Sequence, residues 1–287
     1  MATLRQLRTR VASITNIQRV TNAMQMVAAA KMRRAQERIV AARPYAQQLD
    51  KILHHLTGSI DAGSHPLLSE RESVERVAAV VITADRGLCG GFNGNICRRA
   101  VVQIEELGEL GVDLVTVGRK GRDFFRYRDY EIAEERIGLF RELQFAEAMG
   151  IAQELTRRFQ SGRVDRVLLI YSEFQSVARQ VPVVQQLLPV VAAAGEGEVG
   201  EEDYLFEPSP EQLLDVLVPR HVNFQVWRAL LESNAGEQAA RMQAMDSATK
   251  NAGDLIEELT REMNKVRQTA ITLELMDIIG GAEAVAS

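Results

Sequence analysis

From Leu4 onward, apolar residues recur at Leu7, Val11, Ile14, Ile17, Val20, Met24 and Val27, in steps of three and four that mark one face of an α-helix. No glycine precedes Gly58 and no proline precedes Pro44, so the pattern predicts one long amphipathic helix, which Pro44 is expected to kink or to end early. Carried to Leu56 at 1.5 Å per residue, such a helix is roughly 80 Å long, more than one small domain can cover. The last third repeats the pattern: Ala252, Ile256, Leu259, Met263, Val266, Ala270 and Leu273 follow alternate steps of four and three, a heptad seam. Two stripes at opposite ends of a chain are hidden most simply by winding them together, antiparallel, with the left-handed supercoil of a seven-residue repeat.

Between them the period shortens. Apolar runs of strand length at 76–84, 112–118 and 166–171 are separated by helical stretches at 95–110 and 142–160, which predicts βαβ units and a mainly parallel sheet. The run 176–190 is expected to be an edge strand, because Pro182 lacks the N–H that a central strand donates. The predicted class is α/β: a long antiparallel coiled coil of the N- and C-terminal helices plus a central Rossmann-like domain. Boundaries are expected at 1–56, 74–190 and 209–285, with a mobile acidic connection at 192–202.

Charge changes the picture more than composition does. The first 43 residues carry nine bases, from Arg5 to Arg43, against the single acid Glu37, whereas the stretch from Glu196 to Asp215 holds eight acids and no base. Such segregation points to separate partners at separate places. Nucleic acid is not expected at the basic end, since no aromatic occurs before Tyr45. The basic opening runs unbroken into the long helix and reads as mature sequence rather than as a transit peptide. No window approaches about 20 consecutive apolar residues, so membrane association is expected only through a partner.

Candidate chemistry is sparse. The glycine-rich loop TADRGLCGGFNG, 83–94, follows a strand and leads into a helix, where phosphates are often cradled, but it has neither G-x-G-x-x-G spacing nor the Lys-Ser/Thr pair of a P-loop. Its glycines read first as tight turns at the sheet edge. Cys89 beside Arg86 has no histidine between residues 66 and 220 to serve as base, and Cys89 with Cys97 makes neither a disulfide framework nor a zinc site. The pair His54 and His55 lacks the i, i+4 spacing that places two ligands on one helical face. No catalytic residue, cofactor or metal is expected.

Four segments resemble one family closely: MQMVAAAKMRRAQ at 24–36, DRGLCGGFN at 85–93, EQAARMQAMDSA at 237–248 and ITLELMDIIGGAEA at 271–284. Each is similar to the corresponding segment of gamma subunits of F-type ATP synthases, of the bacterial type, and the order is the same. The resemblance implies a non-catalytic rotor shaft that couples ion-driven rotation of a membrane ring to ATP synthesis or hydrolysis by a proton- or sodium-translocating complex. It implies three alpha and three beta subunits, an epsilon subunit and the membrane c-ring as partners. It implies a peripheral position on the cytoplasmic face of the bacterial plasma (inner) membrane. Carried over, contacts with the catalytic ring fall on Met24, Lys31, Arg33, Arg34, Arg241, Gln268, Thr272 and Glu274, and contacts with the membrane ring or epsilon on Tyr204, Leu205, Phe206 and Glu207. Met24 has seam packing as its other reading. No cysteine-bearing insertion precedes Tyr204, unlike chloroplast forms, so thiol regulation is not expected. The alternatives are a nucleotide-binding enzyme built on the α/β domain and a coiled-coil scaffold without rotary function.

Overall fold

The computed structural model describes residues 3–59, 65–191 and 209–286. The first helix, α1, runs without a break from Leu4 to Ser59, with Pro44 inside it, and the last, α5, from Pro210 to Ala286, with Pro219 inside it. Pro44 therefore does not end the helix. Between them lie β1 (Arg76–Ile82), α2 (Phe92–Glu106), β2 (Gly111–Val117), α3 (Arg119–Arg126), β3 (Ile132–Arg136), α4 (Phe145–Gln160), β4 (Arg166–Phe174) and β5 (Gln180–Leu188). Two compact units result, Met1–Ala28 with Met242–Ser287, and Ala29–Arg241.

The larger unit is built on a five-stranded sheet of order β3-β2-β1-β4-β5, parallel except where β5 runs antiparallel to β4. Side chains of a strand alternate between faces, and both faces here are covered. Ala78, Val80 and Ile82 of β1 join a core with Leu155 and Phe159 of α4, Leu49, Leu53 and Leu56 of α1, and Leu214, Val218 and Val222 of α5. Ala79 and Val81 face Ile96 and Ala100 of α2 and Phe125 of α3 on the other side. β5 takes the edge with Pro182 opposite Ser172, as expected of a strand that contains proline.

The smaller unit is an antiparallel helix pair. The Thr21 hydroxyl meets that of Thr249 at 2.7 Å, and Gln25 Nε2 donates to Asp246 Oδ1 at 3.0 Å. Paired numbers thus add to 270 or 271, a register that brings Leu4 opposite Val266.

That register corrects the expected seam at two places. On α1 the inward positions are Leu7, Val11, Ile14, Gln18, Thr21, Gln25 and Ala28, whereas Ile17, Val20 and Val27 are exposed and Met24 is half-buried. Leu7, Val11 and Ile14 of the expected run hold the seam, but from Ile17 onward the run lies one residue beside it, because polar residues take the inward places. On α5 the seam holds through Ala252, Ile256, Leu259, Met263 and Val266, but Ala270 and Leu273 are exposed. Beyond Val266 the register has passed the first residue of α1, and no described residue remains to cover them.

Candidate interaction surfaces

In open α/β sheets a ligand binds beyond the C-terminal strand ends, where the strand order reverses, which here is the crevice between β1 and β4. That crevice is filled by α5. Gly236 lies close against its wall: a Cβ there would lie 3.3 Å from both the Phe92 ring and Ser172 Oγ. Three residues earlier, Ser233 Oγ accepts the Ser172 N–H at 3.3 Å, and five residues later Arg241 Nη2 donates to the Gly87 carbonyl at 3.2 Å.

The glycine-rich loop is likewise tied up by its own chain. Asn93 Oδ1 accepts from Ala84 N, and its amide nitrogen reaches Arg86 O and Cys89 Sγ. Asp85 accepts the N–H groups of Arg119 and Gly138. Leu88 is the exception: it sits in the left-handed region at φ 62° and is 64% exposed. Burial pushes the Cys89 thiol up, and that of Cys97 to about 12, the reverse of an activated thiolate. Among the described residues no His, Cys, Asp or Glu cluster could hold a metal ion, and no helix is long and apolar enough to cross a membrane.

The expected ring contacts divide by exposure. Lys31, Arg33, Arg34, Gln268, Thr272 and Glu274 are exposed, Met24 is half-buried, and Arg241 is buried. Arg241 Nη1 lies 2.6 Å from Glu237 Oε1, so its charge is spent inside the α/β unit. Burial raises the Glu237 carboxyl above the usual range, opposed chiefly by Arg241, with Asp85 adding to the rise and Lys31 opposing it. Glu237, which sequence reasoning passed over, was visible as the acid one turn before Arg241, but nothing in the sequence marks it as buried. Tyr204, Leu205, Phe206 and Glu207 lie outside the described residues.

The end of α5 is the most unusual surface. Ile271, Leu273, Leu275, Met276, Ile278 and Ile279 are each between 50% and 68% exposed, and at 100° per residue they spread over about 220° of the helix surface, wider than one face, with Glu274 and Asp277 on the remainder. Exposed apolar patches of this breadth mark places where another molecule binds.

The comparisons with known proteins give the class first: a family model described as ATP synthase matches residues 3–285. Among relatives, the ATP synthase gamma chain of Chlorobium phaeobacteroides is 49% identical over 290 residues, covering 99% of each chain, and that of Pelotomaculum thermopropionicum is 48% identical over 286 residues, covering 99% of this chain and all of the relative. A solved chain of the central stalk and c-ring of Tetrahymena thermophila mitochondrial ATP synthase is 27% identical, with TM-score 0.60, over 80% of this chain and 99% of its own. A chain of Euglena gracilis mitochondrial ATP synthase, 21% identical with TM-score 0.70 over 98% of this chain and 94% of its own, shares the fold. The chain belongs to the ATP synthase gamma chain family. It is a non-catalytic subunit, the central stalk of the rotor of an F-type ATP synthase, and part of a membrane-associated complex.

Proposed function

We propose that the uncovered end of α5 turns inside a ring of three alpha and three beta subunits, and that its unequal faces bias the three beta subunits among unequal conformations. The observation that carries this reading is the exposure on every side of residues 271–279, six of them large and apolar, an axle end that no described residue covers. A shaft shifts a subunit's equilibrium only by contacting its states unequally, so the working residues are those facing outward. Gln268, Thr272 and Glu274 on α5 and Lys31, Arg33 and Arg34 on α1 fit that role by exposure. Met24 contributes its uncovered part, and Arg241 acts from inside by holding the Gly87 loop.

Tyr204, Leu205, Phe206 and Glu207 engage the epsilon subunit and the membrane c-ring, and the chain is thereby held peripherally on the cytoplasmic face of a bacterial plasma membrane. The solved central stalk with its c-ring from Tetrahymena supports the pairing. Co-purification tests the whole reading: one copy is expected with three alpha and three beta chains, together with epsilon. Fixed binding of partners without any effect on ATP hydrolysis would instead mark a static scaffold. For orientation, cysteines introduced at Thr272 are expected to cross-link to alpha or beta and those at Glu207 to epsilon or the c-ring; the opposite outcome reverses the axle.

A further inference from the structure

Helix α1 carries two stripes of identical spacing, one residue apart and so about 100° apart around the helix. Gln18, Thr21, Gln25 and Ala28 face α5, and Ile17, Val20, Met24 and Val27 lie beside them. By apolar area alone the second stripe is the better seam, yet Ile17, Val20 and Val27 are 49%, 58% and 56% exposed. Something other than burial selects the phase.

Two polar pairs are in position to do so. Thr21 and Thr249 join hydroxyls at 2.7 Å while Thr249 also donates to Met245 O, and Gln25 reaches Asp246, whose other oxygen is held by Lys250 at 2.7 Å. Gly253 leaves room for the Gln18 amide, which lies 3.1 Å from where a Cβ would stand. Polar residues in a coiled-coil seam fix its register at a cost in stability.

We propose that Thr21 with Thr249 and Gln25 with Asp246 are positioning residues: they hold the rotational phase of α1 so that the apolar stripe stays outward. Resting on the rotor reading above, the outward stripe is a contact surface for the catalytic ring, and the polar pairs act only through it. Without them the turns around Val20 rotate and bury the stripe against α5.

The test uses the full chain carrying Val20→Cys, with Cys89 and Cys97 replaced by Ser, and measures the rate of maleimide labelling. Exchanging Thr21, Gln25, Asp246 and Thr249 for Ala removes both pairs without adding apolar volume. Labelling at position 20 is then expected to slow about tenfold, which corresponds to about 1.4 kcal/mol in favour of the rotated phase. Thr21→Val with Thr249→Val and Gln25→Leu with Asp246→Leu put an apolar lock in the same phase, so position 20 should stay as reactive as in the parent. Unchanged labelling in the alanine variant, with helix content retained, overturns the proposal, as does equal slowing in the apolar-lock variant. The rotor reading is checked separately in the assembled complex: slowed labelling with undiminished ATP-driven pumping upholds the phase lock and removes the stripe from the ring contacts.

Discussion

Gly118 sits at φ 97°, and a Cβ built there would come within 2.1 Å of the Thr83 carbonyl oxygen. Thr83 answers from the other strand: its N–H donates to Val117 O, and its hydroxyl accepts the Gly121 N–H at 2.8 Å, so α3 starts where β1 ends. Gly118→Ala is therefore expected to cost at least about 2 kcal/mol, read as a lowered midpoint in urea unfolding. Arg241→Ala should cost about 3 kcal/mol, because it leaves the buried Glu237 carboxylate uncompensated, and adding Glu237→Gln should restore much of the loss in the same measurement. His65 makes a smaller, pH-dependent contribution. Its Nδ1 accepts from Leu67 N and its Nε2 faces Asp215 at 3.6 Å, and burial lowers its pKa below 6.5 although Asp215 opposes the shift. A lowered folded pKa favours the neutral ring, so this stability is complete above about pH 6.5 and is lost as pH falls through the folded value. Melting temperatures recorded from pH 7.5 to 5 should fall less steeply for His65→Gln than for the parent chain.

At the scale of elements, α5 separates packing from contact along its own length. Leu259 is buried in the seam, whereas Thr272 and Glu274 project from turns that no described residue covers. Leu259→Asp places a charge between the helices and should abolish assembly, measured by recovery of the complex. Thr272→Ala with Glu274→Ala should change the melting temperature of the assembled complex little, since exposed polar substitutions usually stay within about 0.5 kcal/mol, yet lower ATP-driven pumping per complex. Early melting with normal pumping would make those residues structural. Sequence was most legible where a pattern is long and uniform, as in both terminal helices and in β1, β2 and β4. It failed where the physical signal is local. β3, Ile132–Arg136, is a polar edge strand whose glutamates pair with arginines, Glu134 with Arg136 and Arg158, so it shows no apolar run. α3 is eight residues of mostly charged sequence, fastened at Thr83 rather than by its own periodicity. From Ile17 onward the α1 seam lies one residue from the expected place, because its polar members Thr21 and Gln25 are satisfied by partners more than 220 positions away, and no local reading can supply those.

For the molecule as a whole, α5 filling the β1–β4 crevice has a bearing on the time course of synthesis. Every strand and α1 leave the ribosome before the helix that closes the sheet and completes the pair, since α1 ends at Ser59 and α5 begins at Pro210. At about 5–20 residues per second, the first helix waits on the order of ten seconds for its partner. Loop closure over that separation makes the topology slow by nature, and meanwhile Leu49, Leu53 and Leu56 have only part of their eventual cover. Nascent chains stalled before residue 210 should thus be cut readily by protease within α1 and should recruit chaperones. Chains stalled far enough on to expose residue 241 outside the exit tunnel should gain protection across β1 and β4 in a single step.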